Sequence, residues 1–321
     1  MYTDDCECLY DGFKIRICDR LYVNMMLELS EEFGIEKTYY YDGIIKFPLF
    51  GNFLGCKRTN ENAHSKGFQI AFIQESRDNR TVTCLEISGS LHKFSNNWNH
   101  NANKFTFIDL KAAIIKIKDL FKITNCNARV CNIEIGKNII ILPSFNVNSK
   151  DLASNILFAK NRSKKETQTN RDRNENGHSF YLENETTKSK IYAKSFQQRE
   201  YSNDLEIIRI ESVLCKSRAI IKSLGISCID DLADSKIHAK AKKYYQKRFQ
   251  HLFFYQKEIE ALYSTPEEKN SLLRFSKEEY WQHLYKANKK EFINNKKLYY
   301  TILERNGIPN ISSFILDEIK K

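Results

Sequence analysis

The sequence predicts an α+β fold. A mainly antiparallel sheet domain with packed helices is expected over residues 1–234, and an all-helical, basic C-terminal region over 235–321. Three observations predict it. Short segments in which apolar and polar residues alternate recur between Phe13 and Glu211, separated by polar loops. One prominent helical pattern, Phe107 to Phe121, stands among them. From Ser235 onward nearly every apolar residue falls at helical spacing.

In chain order, Phe13 to Cys18 alternates and predicts a first strand. Leu21 to Phe33 predicts a helix stopped by Gly34, since glycine suits the left-handed position after a last turn. Tyr39 to Phe50, Gly67 to Gln74 and Thr81 to Leu91 follow as strands, with a polar loop around Arg58 to Ser65. Gly89 inside a strand suggests a bulge or a close approach of backbone. The Asn-rich run Ser95 to Asn103 predicts an exposed loop, and His92 just before it and His100 within it are expected as polar loop residues.

The helix at Phe107 to Phe121 carries Asp109 in its early turns. Ala128 to Gly136 predicts a strand with Asn132 and Glu134 on one face and Ile133 and Ile135 on the other. Leu152 to Ala159 predicts a short helix, and Lys160 to Asn176, which has no apolar residue, a flexible, mostly basic linker. Three strands then follow. Gly177 to Asn184 holds Tyr181, Lys188 to Lys194 puts Tyr192 and Lys194 on one face, and Leu205 to Glu211 does the same with Arg209 and Glu211. Ser212 to Leu224 ends at Gly225. The helices expected beyond are Ser235–Tyr263, Pro266–Phe275, Lys277–Asn288, Lys290–Asn306 and Ile311–Ile319.

The 321 residues carry a formal net charge of +11 and 41% hydrophobic residues, enough for a core. The positive balance points to a polyanionic partner, nucleic acid before a membrane surface. Residues 235–321 hold 18 Lys and Arg against 10 Asp and Glu, so most of the excess lies there. No run of 18 apolar residues exists, and the acidic N-terminus does not read as a secretory signal. Nine scattered cysteines without a Cys-x-x-Cys pair predict reduced thiols in a cytoplasmic protein. No Gly-x-x-x-x-Gly-Lys-[Ser/Thr] or Gly-x-Gly-x-x-Gly motif is present, which argues against an ATPase or a dinucleotide enzyme.

Two tyrosines, a lysine, an arginine and carboxylates on neighbouring strands suit one chemistry, attack of a phenolate on a phosphodiester. Four segments also resemble a known family: Leu85-Glu-Ile-Ser-Gly-Ser-Leu-His-Lys-Phe94, Arg129-Val-Cys-Asn-Ile-Glu134, Phe180-Tyr181 with Ile191-Tyr-Ala-Lys194, and Leu205-Glu-Ile-Ile-Arg-Ile-Glu211. In that order they resemble the replication initiators of filamentous phages, the gene-two and gene-ten type. More distantly they resemble the Rep_trans class of plasmid rolling-circle initiators. The resemblance runs from about residue 80 to 232 and leaves phage or plasmid open.

The resemblance implies a nuclease domain. Such an enzyme nicks one strand of origin DNA, single-stranded or supercoiled duplex, stays on the 5′ end through tyrosine, and works with host helicase and polymerase. It implies Glu134 and Glu211 as ligands of Mg²⁺ or Mn²⁺, with Glu86 as a third, where relatives often carry Asp at the position of Glu134. Tyr181 is expected as nucleophile with Tyr192 in reserve, and Lys194 and Arg209 to stabilise the transition-state charge. The alternative is a non-enzymatic, sequence-specific DNA-binding protein that reads DNA with its basic helical tail.

Overall fold

The computed structural model describes residues 7–32, 38–39, 45–48, 68–77, 80–98, 101, 103–123, 127–158, 167–173, 177–197, 204–262 and 265–321. The fold is mixed α+β with a helical C-terminal region. It divides into two compact units, one of residues 1–136 and 213–244, the other of 137–212 and 245–321. The expectations for Gly34, Arg58 to Ser65 and His100 lie outside the described residues.

In the first unit the strand order is β2 (Thr38–Tyr39), β3 (Ile45–Pro48), β4 (Gln69–Arg77), β5 (Arg80–Ser90), β1 (Tyr10–Ile17) and the first part of β6 (Arg129–Ile141). The pairings among these strands are antiparallel. Alternation builds β1, because Phe13, Ile15 and Ile17 are buried while Lys14 and Arg16 face the other way. Helix α1 (Arg20–Glu32) follows β1, and α2 (Leu91–Ser95) begins where β5 ends. Helix α3 (Phe107–Leu120) starts on a reciprocal cap, since Thr106 and Asp109 each satisfy the other's backbone N–H. It buries Leu110, Ala113, Ile114 and Ile117.

Gly89 is required by packing. A Cβ there would lie 2.7 Å from Phe68 Cδ1, and the Phe68 ring also meets Phe94, Trp98 and Phe121. The close approach is therefore by an aromatic cluster. Within the loop expected at 95–103, Trp98 is buried and packs into that same cluster. His92 belongs to α2, buried and stacked on Phe105 with its Nε2 2.8 Å from Asn103 Oδ1, and so is not an exposed loop residue.

In the second unit the strand order is the remainder of β6, β11 (Glu206–Leu214), β10 (Thr187–Ala193), β9 (Gly177–Glu183) and β8 (Thr167–Arg173). β8 lies where a flexible linker was expected. It pairs with β9 from Thr167 opposite Glu183 to Arg173 opposite Gly177. Backbone pairing needs no apolar side chain, and charged residues on a terminal strand discourage further pairing. The helix expected at Leu152 to Ala159 is α4 (Ser149–Ser154), capped by the Asn148 side chain, followed by strand β7 (Ile156–Phe158).

A single helix was expected from Ser235 to Tyr263. Instead α7 (Ser235–Phe249) ends early, and β12 (Phe253–Phe254) pairs antiparallel with β7. Leu252 to Tyr255 are all buried, which a helix with one exposed face cannot achieve over four successive residues. Around this ribbon pack α8 (Pro266–Phe275), α9 (Glu278–Ala287), α10 (Lys289–Arg305) and α11 (Ile311–Lys320), with Trp281, Phe275, Phe292 and Tyr299 in the core. Between β11 and α7, α6 (Ser217–Leu224) stops at Gly225, whose φ of +83° is the left-handed conformation glycine adopts readily.

The thiols also depart from expectation. Cys18 and Cys84 form a disulfide with Cα atoms 4.2 Å apart, and Cys228 is disulfide-bonded as well. The β1–β5 register pairs Ile17 with Leu85 and so brings Cys18 opposite Cys84, a proximity that 66 residues of sequence separation conceal. Among the described residues no helix is long and apolar enough to cross a membrane.

Candidate active site

β1 and β6 meet at an irregularity. Tyr10 pairs with Ile135 and Phe13 with Ile133, so Asp11 and Gly12 together oppose the single residue Glu134. Two residues facing one is a β-bulge, which re-aims side chains. Asp11 is buried, and its carboxylate accepts hydrogen bonds from Ser90 Oγ and, at 2.7 Å, from Asn101 Nδ2. Gly12 admits the Glu134 side chain, because a Cβ at residue 12 would lie 3.2 Å from Glu134 Cβ and 3.3 Å from its Oε2. Asp11 has no counterpart among the residues singled out from sequence. The Asp-Gly pair reads as a turn, and its position just before an alternating run is the signal that could have marked a bulge.

The second concentration of polar groups lies on β10 and β11. Glu211, 3% exposed, accepts a hydrogen bond from the Tyr192 hydroxyl at 2.7 Å and one from Arg209 Nε, both on Oε1. Lys190 Nζ lies 3.7 Å from Glu211 Oε2. Arg209, itself buried, donates from Nη1 to Asn138 Oδ1 at 2.8 Å. Burial alone would raise the Glu211 carboxyl. The charges of Arg209 and Lys190, with the hydrogen bonds from Arg209 and Tyr192, outweigh it and hold the group below the usual carboxylate range. A buried carboxylate held ionised beside a phenol hydroxyl can orient that hydroxyl and receive its proton.

Lys194 stands first in α5 (Lys194–Gln197) rather than on the strand, since β10 ends at Ala193 and its alternation stops there. It is nonetheless buried, with Nζ 5.9 Å from the Tyr192 ring centroid. Tyr181 on β9 is the cross-strand partner of Lys190, half-buried and one strand further from β11 than Tyr192. Glu86 pairs with Lys14 at 2.5 Å and Arg16 at 2.8 Å. Burial raises its carboxyl, but those two partners hold it below its ordinary value.

In the first unit Asp11 and Glu134 each offer one carboxylate oxygen, and the two oxygens lie within 4.8 Å of each other. Asp11 is buried and Glu134 is half-buried. Like charges that close, with little water between them, need cations nearby. Such a set of hard oxygen donors can hold a divalent ion of the Mg²⁺ or Mn²⁺ kind. Glu86 is engaged instead with Lys14 and Arg16.

No family model and no curated protein matches the chain. Among solved structures, a rolling-circle replication initiator protein from Geobacillus stearothermophilus is similar at 13% identity with a TM-score of 0.37, over 84% of this chain and 95% of that one. DynU16, from the dynemicin biosynthetic locus, is similar at 8% identity with a TM-score of 0.17, over 74% and 95%.

Proposed function

We propose that the protein is a metal-dependent DNA strand-nicking and rejoining enzyme that starts rolling-circle replication, joining the 5′ end of the cut strand through tyrosine. The observation that carries the reading is the Tyr192 hydroxyl on the buried, ionised Glu211, with Arg209 and Lys190 around the same carboxylate. The order of the four sequence segments that resemble phage and plasmid initiators points the same way.

In this reading Tyr192 is the nucleophile. A free phenol holds its proton to a pH of about 10, so its hydroxyl needs an acceptor, and Glu211 Oε1 is 2.7 Å away. As the proton leaves, the Tyr192 oxygen bonds to phosphorus and the bond from phosphorus to the 3′ oxygen breaks. The departing oxygen takes up a proton and becomes the 3′ hydroxyl that primes synthesis, while the 5′ phosphate stays on tyrosine. Arg209, Lys190 and Lys194 offset the charge that develops on the phosphate. Glu134 and Glu211, the carboxylates that the resemblance implies, together with Asp11 would hold Mg²⁺ or Mn²⁺, and such an ion would polarise a phosphate oxygen and stabilise the departing 3′ oxygen. Rejoining is the same step reversed.

The test is incubation with Mn²⁺ and overlapping single-stranded oligonucleotides that tile the DNA around the coding region. The reading expects cleavage at one position, a downstream fragment joined to the protein through its 5′ phosphate, and loss of both in EDTA. Metal-independent cleavage, or binding with no cleavage of any fragment, contradicts it. A second reading, DNA binding without cleavage, draws on residues 286–297, where five lysines stand against one glutamate and Lys286, Lys289, Lys290 and Lys297 are exposed.

A further inference from the structure

Helix α10 turns a polar face to solvent on the side away from its core contacts. Phe292, Tyr299, Ile302 and Leu303 are buried and fix the helix within the second unit. Asn288 caps its first turn, its side chain accepting from the Glu291 N–H at 3.1 Å. Opposite the buried residues stand Lys290, Ile293, Asn294, Lys297 and Thr301, at i, i+3, i+4, i+7 and i+11 of one helix face. All five are exposed and lie on an uninterrupted described stretch, residues 265–321. Among the described residues none of the five side chains enters a hydrogen bond or an ion pair. Ile293, 52% exposed, is a β-branched apolar group set between two lysines of the face. Lys286 and Lys289 lie exposed where the face begins, and Glu304 ends it one turn beyond Thr301.

The chemistry of this face selects a partner. Two lysines on it and two beside it attract a polyanion. A membrane surface takes a broad apolar stripe, whereas Ile293 is the single apolar residue among the five. A single strand is gripped by stacking on aromatic rings, which these five residues do not include. Double-stranded RNA has a major groove too narrow to read. The major groove of B-DNA, about 12 Å wide, admits a helix. There an asparagine side chain matches the N6 and N7 edge of adenine, and an apolar group meets the methyl of thymine. From Lys290 to Thr301 the helix rises about 17 Å, enough to pass about five base pairs.

We propose that α10 lays this face in the major groove of duplex DNA, with Asn294 on an adenine, Ile293 on a thymine methyl, and Lys290 and Lys297 on the flanking phosphates. The partner is B-form DNA with A·T pairs in the contacted site. The assignment deepens the strand-nicking reading, because it supplies the surface that finds the duplex to be cut, and it rests on that reading for DNA as the polyanion. α10 takes no part in the bond changes.

The test measures Kd for the full chain in EDTA, so that nothing is cut, against duplex fragments that tile the DNA around the coding region. Each variant alters an exposed side chain and is first checked for an unchanged unfolding midpoint. One fragment is expected to bind at least about ten-fold tighter than the rest. Asn294→Ala is expected to weaken that fragment by about ten-fold and the others by less than about two-fold. Deoxyuridine in place of thymidine removes the methyl from that fragment; it should weaken binding by the parent and leave binding by Ile293→Ala as it was. Lys290→Met and Lys297→Met should each weaken all fragments alike and lower the slope of log Kd against log salt by about 0.9. Lys277→Met, exposed on the turn before α9, should bind as the parent does.

Three results overturn the assignment: no fragment preferred over the rest, Asn294→Ala binding the preferred fragment within about two-fold of the parent, or an unchanged salt slope in both lysine variants. Tighter binding of duplex RNA, phosphatidylserine vesicles or poly-glutamate than of the preferred fragment overturns it as well. The two readings fail separately. A covalent adduct from a protein whose α10 variants all bind like the parent removes the helix face and leaves the nicking. An Asn294-dependent preference in a protein that cleaves nothing removes the nicking and leaves a duplex reader.

Discussion

Arg209→Met tests the electrostatic account of the site most sharply. The substitution keeps a long apolar stem and removes the guanidinium from Glu211, a carboxylate only 3% exposed. Breaking a buried pair from one side leaves an uncompensated charge and costs about 3–5 kcal/mol. Here Lys190 remains 3.7 Å from Oε2 with its side chain 35% exposed, and the Tyr192 hydroxyl remains on Oε1. Both soften the loss, while the Arg209 bond to Asn138 adds to it. The expected cost is about 3 kcal/mol, read from urea unfolding at pH 7 in EDTA. The parental Glu211 carboxyl is held below 4.5, so its contribution is present above 4.5 and is lost as pH falls through the folded value. Without Arg209 burial prevails and the carboxyl moves up, so the deficit of the variant shrinks as pH falls. Arg209→Met with Glu211→Met in one chain recovers most of the loss, since no lone charge stays buried. A single variant within 1 kcal/mol of the parent, or a double variant as unstable as the single, refutes the reasoning.

Three further outcomes follow from other parts of the molecule. Gly89→Ala places a methyl 2.7 Å from Phe68 Cδ1 and 3.3 Å from Trp98, and overpacking of this kind costs about 1–3 kcal/mol in thermal or urea unfolding. His238, 1% exposed and set against the rings of Tyr10 and Phe107, is pushed down from 6.5 to about 4 by burial and by the nearby Lys242 charge. The unfolded chain binds that proton first, so stability is full above pH 6.5 and falls by up to about 3 kcal/mol toward pH 4; His238→Phe should flatten this part of the profile. Mn²⁺ at about a hundred times its Kd should stabilise the parent by about 2.7 kcal/mol, and Asp11→Asn or Glu134→Gln should remove most of that shift in calorimetry.

Legibility in the sequence followed the physics of each element. The helices at 266–275 and 311–320 begin at Thr265-Pro266 and Asn310 and carry clear helical spacing, so their limits show in the residues alone. The three strands with Tyr181, Tyr192 and Glu211 alternate strongly enough to be seen, and Arg209 does reach Glu211 on the shared face. β8 was hidden because its seven residues, Thr167 to Arg173, carry no apolar side chain and are held through backbone pairing. β12 was hidden inside a long basic stretch whose spacing resembles a helix up to Phe249. Asp11 was hidden for another reason. Its place opposite Glu134 depends on which residue of β6 pairs with Tyr10, a register that periodicity along one strand does not contain. The Cys18–Cys84 pairing depends on register in the same way.

The identity of the residue that carries DNA tests the central claim most directly. After reaction with a cleaved oligonucleotide and Mn²⁺, nuclease trimming and peptide mass spectrometry locate the phosphotyrosyl bond. The account predicts the nucleotide on Tyr192, within the peptide Ile191–Lys194, and no covalent product from Tyr192→Phe. A nucleotide found on Tyr181, or a covalent product that survives Tyr192→Phe, contradicts it.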